Sequence, residues 1–143
     1  MSILFSRQCE YALQALMYMA LQNHGKSISI KELTQRLNIP YHFVAKTLQN
    51  LTHKGLLSSQ KGPSGGFALA KPAEDITLID IIEAIDGGSF MKDCILGFEQ
   101  CSQEKPCSLH EQWLTARESI AEMLKTKSIA EMAGRMKKPQ YRQ

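Results

Sequence analysis

The order of residue periodicities between Ser29 and Ala70 constrains this chain more than any other feature. Ser29-Ile-Lys-Glu32 is a capping box, in which the Ser hydroxyl and the Glu carboxylate satisfy free N–H groups at a helix start. Ile30, Leu33 and Leu37 then give a short helix. Pro40 suits a first helical position and opens another helix, with Val44, Leu48 and Leu51 as its buried face. Only a few residues separate the two helices, which is helix-turn-helix spacing. Two β-like runs follow, Leu56–Ser59 and Phe67–Ala70, joined by Gln60-Lys-Gly-Pro-Ser-Gly-Gly66, whose three glycines and proline spell a turn. A hairpin placed directly after a recognition helix reads as a winged helix-turn-helix.

The flanks complete a mainly α chain with a small β-hairpin wing. Leu13, Leu16, Met17, Ala20 and Leu21 fall on one helical face, predicting a first helix from about Gln8 to His24 that Gly25 ends. Thr77-Leu-Ile-Asp80 opens a helix with apolar Leu78, Ile81, Ile82 and Ile85, stopped at Gly87-Gly88. From Gly87 to Pro106 there is no periodicity, and a structureless stretch of that kind within a compact domain is usually functional or disordered. From about Ser108 a long helix resumes, with Leu109, Trp113, Ala116, Ile120 and Met123 in a 3.5-residue repeat that forms a packing seam for another helix. A second copy of the chain is the favoured mate, which makes this a C-terminal dimerisation helix; packing on helix one is the alternative. Ser128-Ile-Ala-Glu131 caps a last short helix. The expected organisation is a winged helix-turn-helix DNA-binding unit over 1–72, a loop without periodicity and a dimerisation helix over 73–135, and a basic flexible tail over 136–143.

At 143 residues, with 43% hydrophobic and 22% charged, the chain can bury a core without covalent staples. No apolar stretch is long enough for a membrane span, and the first residues do not look like a secretory signal, so a cytoplasmic location is expected. The net charge of +3 conceals a division: +6 over residues 1–72, −7 over 73–134 and +4 over the last nine. A basic front suits a polyanion partner, although charge alone fits an uneven scatter of solvated groups equally well. The helix-turn-helix supplies context. Tyr41, His42, Ala45 and Lys46 lie opposite the buried face of the recognition helix, where side chains can reach base edges in a major groove. Ser29 at the start of the preceding helix, and Lys61-Gly62 in the wing, join them as candidate DNA contacts, lysine supplying charge and glycine a close backbone approach. No residue pair offers an oriented nucleophile and base, and there is no phosphate-cradling loop or paired-carboxylate motif, so nothing points to an enzyme.

Cys94-x₆-Cys101-x₅-Cys107, with His110 three residues on, falls in the stretch without periodicity. Thiolates bind soft or borderline metals, and closely spaced ones converge on one centre at low ordering cost. Three leave a cluster or a tetrahedral metal one ligand short, and His110, Glu10 and Cys9 are the candidates for the fourth. Spacing alone fits zinc and iron–sulfur about equally; unligated redox thiols are a weaker third reading. Cys9, near the start of helix one, is more ordinarily a small buried hydrophobe.

Across nearly its whole length the chain resembles the bacterial winged-helix transcription factors that include the iron–sulfur regulator IscR and the nitric-oxide sensor NsrR. The matching residues are Glu10-Tyr-Ala-Leu13, Lys54-Gly-Leu-Leu-Ser-Ser59, the wing Gly62-Pro-Ser-Gly-Gly-Phe-Ala-Leu69, Ile76-Thr-Leu78, Ala84-Ile-Asp-Gly87, the three-cysteine loop and the tryptophan-bearing helix. The resemblance implies a homodimer on a palindromic operator of double-stranded DNA, with an iron–sulfur cluster, [2Fe–2S] or [4Fe–4S], in each subunit. Cys94, Cys101 and Cys107 match the cluster ligands. His110 matches the fourth ligand of the IscR branch, and Glu10 the acidic residue that reaches across from the partner subunit in the NsrR branch. Two features depart from the pattern. The first cysteine interval holds six residues where five are usual, and Ala45 stands where IscR-like proteins carry an operator-discriminating glutamate.

Overall fold

The computed structural model describes residues 4–22, 25–88, 91–98, 104 and 106–135. The first helix, α1, spans Arg7–Ala20, and the Ser6 hydroxyl at its start accepts from the Cys9 N–H at 3.1 Å. It ends earlier than the periodicity predicts. The Leu21 N–H already bonds to both the Met17 and Tyr18 carbonyls, tightening the last turn, and the Leu21 side chain is 40% exposed, so no packing favours continuing the helix. His24, the expected last residue, lies outside the described residues. The buried face of α1 is Cys9, Ala12, Ala15, Leu16 and Met19, with Leu13, Met17 and Ala20 partly buried beside it.

Ser29 caps α2 (Ile30–Leu37), its hydroxyl accepting from the Glu32 N–H at 3.1 Å, and Asn38 ends it in the left-handed region at φ 54°. Pro40 occupies the cap position of α3 (Tyr41–His53), one residue ahead of where its sequence preference placed it. Leu33, Leu37, Val44, Leu48 and Leu51 meet α1 in the main core. The wing pairs β1 (Leu57–Gln60) with β2 (Gly66–Leu69) antiparallel, Leu57 opposite Leu69 and Gln60 opposite Gly66, one residue from the sequence boundaries. A third segment extends the sheet: Ile28 and Phe67 exchange N–H···O bonds of 2.8 and 2.9 Å. Gly66 permits this, because a Cβ there would stand 2.4 Å from the Ile28 carbonyl oxygen.

Thr77 opens α4 (Leu78–Asp86) with both arms of the capping box made, at 3.4 Å from the Asp80 N–H to the Thr77 hydroxyl and 3.0 Å from the Thr77 N–H to the Asp80 carboxylate. The long helix, α5, covers His110–Thr126, and α6 covers Ile129–Arg135. Thr77 and Ser128 form a β-bridge, so α6 returns to the front of the chain and seats Ile129 in the core of α1, α2 and α3. Packing is thus continuous across residue 72. A second apolar cluster joins α1, α4 and α5 through Cys9, Ile79, Ile82 and Leu124, with Ile120 packed against it.

Candidate nucleic-acid interface and cysteine site

The recognition helix α3 presents Tyr41, His42 and Lys46 to solvent and keeps Ala45 half-buried, opposite the buried row Val44, Leu48 and Leu51. Tyr41 is 60% exposed at the start of the helix. Phe43 also stands out on this helix, 40% exposed, with its ring centroid 4.3 Å from that of His42 and 5.8 Å from that of Tyr11 on α1. Sequence reasoning passed over Phe43 because an aromatic between His42 and Val44 carries no distinguishing pattern. Ser29 is exposed, but its hydroxyl is engaged in capping α2. Lys61 and Gly62 lie exposed at the hairpin tip, where Gly62 takes φ 107° and its carbonyl accepts from the Gly65 N–H at 2.9 Å. Lys31, Gln35 and Arg36, which the sequence reading omitted, add an exposed polar face on α2. Among the described residues no helix is long and apolar enough to cross a membrane.

The cysteine site is built on a turn. The Gly97 N–H bonds to the Cys94 carbonyl at 3.0 Å, with Gly97 at φ 83°, a conformation that favours glycine. That turn aims successive amides at the Cys94 sulfur. Burial pushes the Cys94 thiol up, but N–H groups of Leu96, Phe98 and Gly97 and the Cys107 thiol donate to the sulfur, and the balance lies below the ordinary thiol value. The structure therefore brings Cys94 and Cys107 together, with the Cys94 thiol easier to ionise than an ordinary one. Cys101 lies outside the described residues. Among the described residues no three His, Cys, Asp or Glu side chains converge as a metal site.

The turn is fastened to α5. The Trp113 indole N–H donates to the Asp93 carbonyl at 3.0 Å, one residue ahead of Cys94, and the His110 N–H bonds to the Cys107 carbonyl at 3.1 Å. His110 itself is buried at the first position of α5. Glu10 sits half-buried in the first turn of α1. Of the expected dimer seam, Leu109, Ala116 and Met123 face outward, whereas Ile120 turns toward the chain's own second cluster and Trp113 toward the cysteine turn.

Cys9 is wholly buried, and its thiol is pushed up to about 12 by burial first, then by the Asp86 charge and a hydrogen bond to Asp86, then by Glu10. Its shift is opposite in direction to that of Cys94. Asp86, to which the sequence reading gives no site role, also accepts from the Ser6 N–H at 2.9 Å and from the Ser6 hydroxyl.

Residues 5–135 match the family model Rrf2, described as an iron-dependent transcriptional regulator. The chain belongs to the Rrf2 family. This Rrf2 protein is 35% identical over 132 residues to a protein of Aquifex aeolicus assigned as an HTH-type transcriptional regulator, covering 91% of each chain. It is 29% identical over 122 residues to the HTH-type transcriptional regulator IscR of Erwinia tasmaniensis, covering 85% of this chain and 73% of that one. In fold it resembles CymR (YrzC), the global cysteine regulator of B. subtilis, with a TM-score of 0.79 at 23% identity over 95% of this chain and all of the other. The Rrf2 chain is thus a winged-helix transcriptional regulator, with the DNA-binding character of its family, and not an enzyme.

Proposed function

We propose that this Rrf2 protein is a cytoplasmic homodimer that binds a palindromic operator with an affinity set by an iron–sulfur cluster held at Cys94, Cys101 and Cys107. The single observation that carries the reading is the Cys94 sulfur, cradled by three amides and touched by Cys107. Amide N–H groups aimed at a sulfur favour its thiolate form, the form that ligates a soft or borderline metal. When bound, the cluster supplies a centre that oxygen, nitric oxide or iron shortage can alter. The protein does the rest: Gly97 shapes the turn, Trp113 and His110 hold it on α5, and either His110 or Glu10 completes the ligand set. Residues 1–72 form the DNA-binding unit, where Lys46 and Lys61 take phosphate or base contacts beside Ser29, Tyr41, His42, Ala45 and Gly62. The outward seam of Leu109, Ala116 and Met123 meets its copy.

The experiment is oxygen-free purification with iron, sulfide and zinc analysis and visible spectroscopy. Operator affinities of the loaded and stripped protein are then compared at one salt concentration, since a ligand shifts an equilibrium only through differential affinity. Brown protein whose two forms differ in affinity supports the proposal; equal affinities defeat it. Substituting His110→Ala and Glu10→Ala separately identifies the fourth ligand by which loss alters the spectrum. The contact between Cys94 and Cys107 also favours a second reading, in which zinc or no metal is held and thiol modification is the signal. Colourless protein with stoichiometric zinc, or with none, selects it.

A further inference from the structure

Three donors converge on the carboxylate that ends α4. Asp86 accepts from the Ser6 N–H, the Ser6 hydroxyl and the Cys9 thiol, so the last residue of α4 clasps the first turn of α1 across 80 positions of sequence. Directly after Asp86 come Gly87 and Gly88, which lead into the cysteine segment. On the other side, Tyr11 follows the clasped turn by two residues, and its ring meets Phe43 of the recognition helix at 5.8 Å, tilted by 58°. Below that contact the seam between α1 and α3 is closely packed and apolar. Tyr11, Ala15, Val44 and Thr47 line a gap too narrow for a water molecule, and the buried Thr47 hydroxyl has no hydrogen-bond partner among the described residues. Apolar packing of Val44 and Leu48 joins the helices there, and the Tyr11–Phe43 contact adds a directional ring contact between them.

We propose that Asp86 and Tyr11 are positioning residues that join the cysteine segment to the recognition helix within one protomer, through the clasp on Ser6 and Cys9 and the ring contact with Phe43. A change in the segment that begins at Gly87 shifts the end of α4. The clasp carries that shift into the first turn of α1, and Tyr11 passes it to α3. The inference rests on the proposed sensing role for its purpose, while its contacts are those of Asp86 with Ser6 and Cys9 and of Tyr11 with Phe43.

The test is amide hydrogen exchange on the full-length protein, thiols reduced and stripped of metal, so that its failure is separable from failure of the cluster reading. Asp86→Asn is expected to speed exchange in the first turn of α1 by about tenfold and over Val44–Leu48 by about threefold, as charge-assisted bonds weaken. Tyr11→Leu is expected to speed exchange over Val44–Leu48 alone, and adding Asp86→Asn to it should change α3 no further. Tyr11→Phe, which keeps the ring, should leave α3 as in the parent. Should Asp86→Asn fold poorly, Ser6→Ala opens the clasp a second way, and because it also removes the α1 cap it is read only by exchange over Val44–Leu48. Loosening of α1 with α3 unchanged overturns the proposal, as does no change in either helix. Should the oxygen-free protein prove to lack iron while the exchange pattern holds, the cluster reading falls and the coupling stands.

Discussion

Replacing Gly66 by alanine should detach the wing from the Ile28 segment without unfolding the protein. The added Cβ would lie 2.4 Å from the Ile28 carbonyl oxygen and 2.7 Å from the carbonyl carbon, both backbone atoms that cannot rotate away. Relief to ordinary van der Waals contact requires a shift of roughly 1 Å, enough to break the paired Ile28–Phe67 bonds of 2.8 and 2.9 Å. Two backbone bonds contribute about 0.5–1.5 kcal/mol each, and partly unseating Ile28, which is 1% exposed, adds about 1 kcal/mol, for a loss of about 2–4 kcal/mol. Domains of this kind are stable by about 5–15 kcal/mol, so the variant still folds. In urea the midpoint should fall by roughly 1–2 M with the slope unchanged. Because the same displacement moves Lys61 at the hairpin tip, the salt dependence of operator binding should also weaken, by about 0.9 in slope, as for one lost phosphate contact. An unchanged urea midpoint would refute the close-approach reasoning.

Other outcomes follow from single side chains. Lys46→Ala and Lys61→Ala should each lower the salt slope of operator binding by about 0.9 while leaving the urea midpoint within about 0.5 kcal/mol of the parent; unchanged slopes remove them from the phosphate contacts. Thr47→Val should raise stability by about 1 kcal/mol, since it removes a buried hydroxyl that has no partner; a lower melting midpoint would show that the hydroxyl is bonded. Cys9 favours its protonated form in the folded state, so its contribution is fully present below about pH 9 and is lost as pH rises toward 12. Cys9→Ala should therefore flatten the alkaline fall in stability relative to the parent, measured as the difference between their urea midpoints from pH 8 to 11. Parallel curves would contradict the assignment.

The helix-turn-helix and wing were legible because their determinants are local. Asn38, Pro40 and the glycines of the hairpin fix backbone angles by their own chemistry, whatever surrounds them. Errors there amount to a residue at each boundary. The face of α5 was harder. Counting large apolar residues selects Leu109, Trp113, Ala116, Ile120 and Met123, yet the row displaced by one position, His110, Leu114, Arg117, Ala121 and Leu124, has the same 3.5-residue spacing and supplies the buried His110, Ala121 and Leu124. Periodicity cannot choose between two such rows. The choice is made by Ile79, Ile82 and Cys9, which receive Leu124 and Ile120.

The cysteine site divides in the same way. That Cys94 and Cys107 come together follows from their spacing, but their unlike treatment from Cys9 does not. All three are the same residue type, and what separates a thiol shifted down from one pushed up to about 12 is the surroundings: amides of the Gly97 turn in one case, burial and a carboxylate from the end of α4 in the other. A glycine that follows a cysteine by three residues could have suggested the first. Local pattern does not disclose the second: Asp86 lies in the quoted Ala84–Gly87 segment, but it reaches Cys9 only after α4 has packed on α1. That packing also determines what the acidic half of the chain does for the basic half. One carboxylate of the acidic stretch over residues 73–134, that of Asp86, holds the first turn of the helix on which the recognition helix rests.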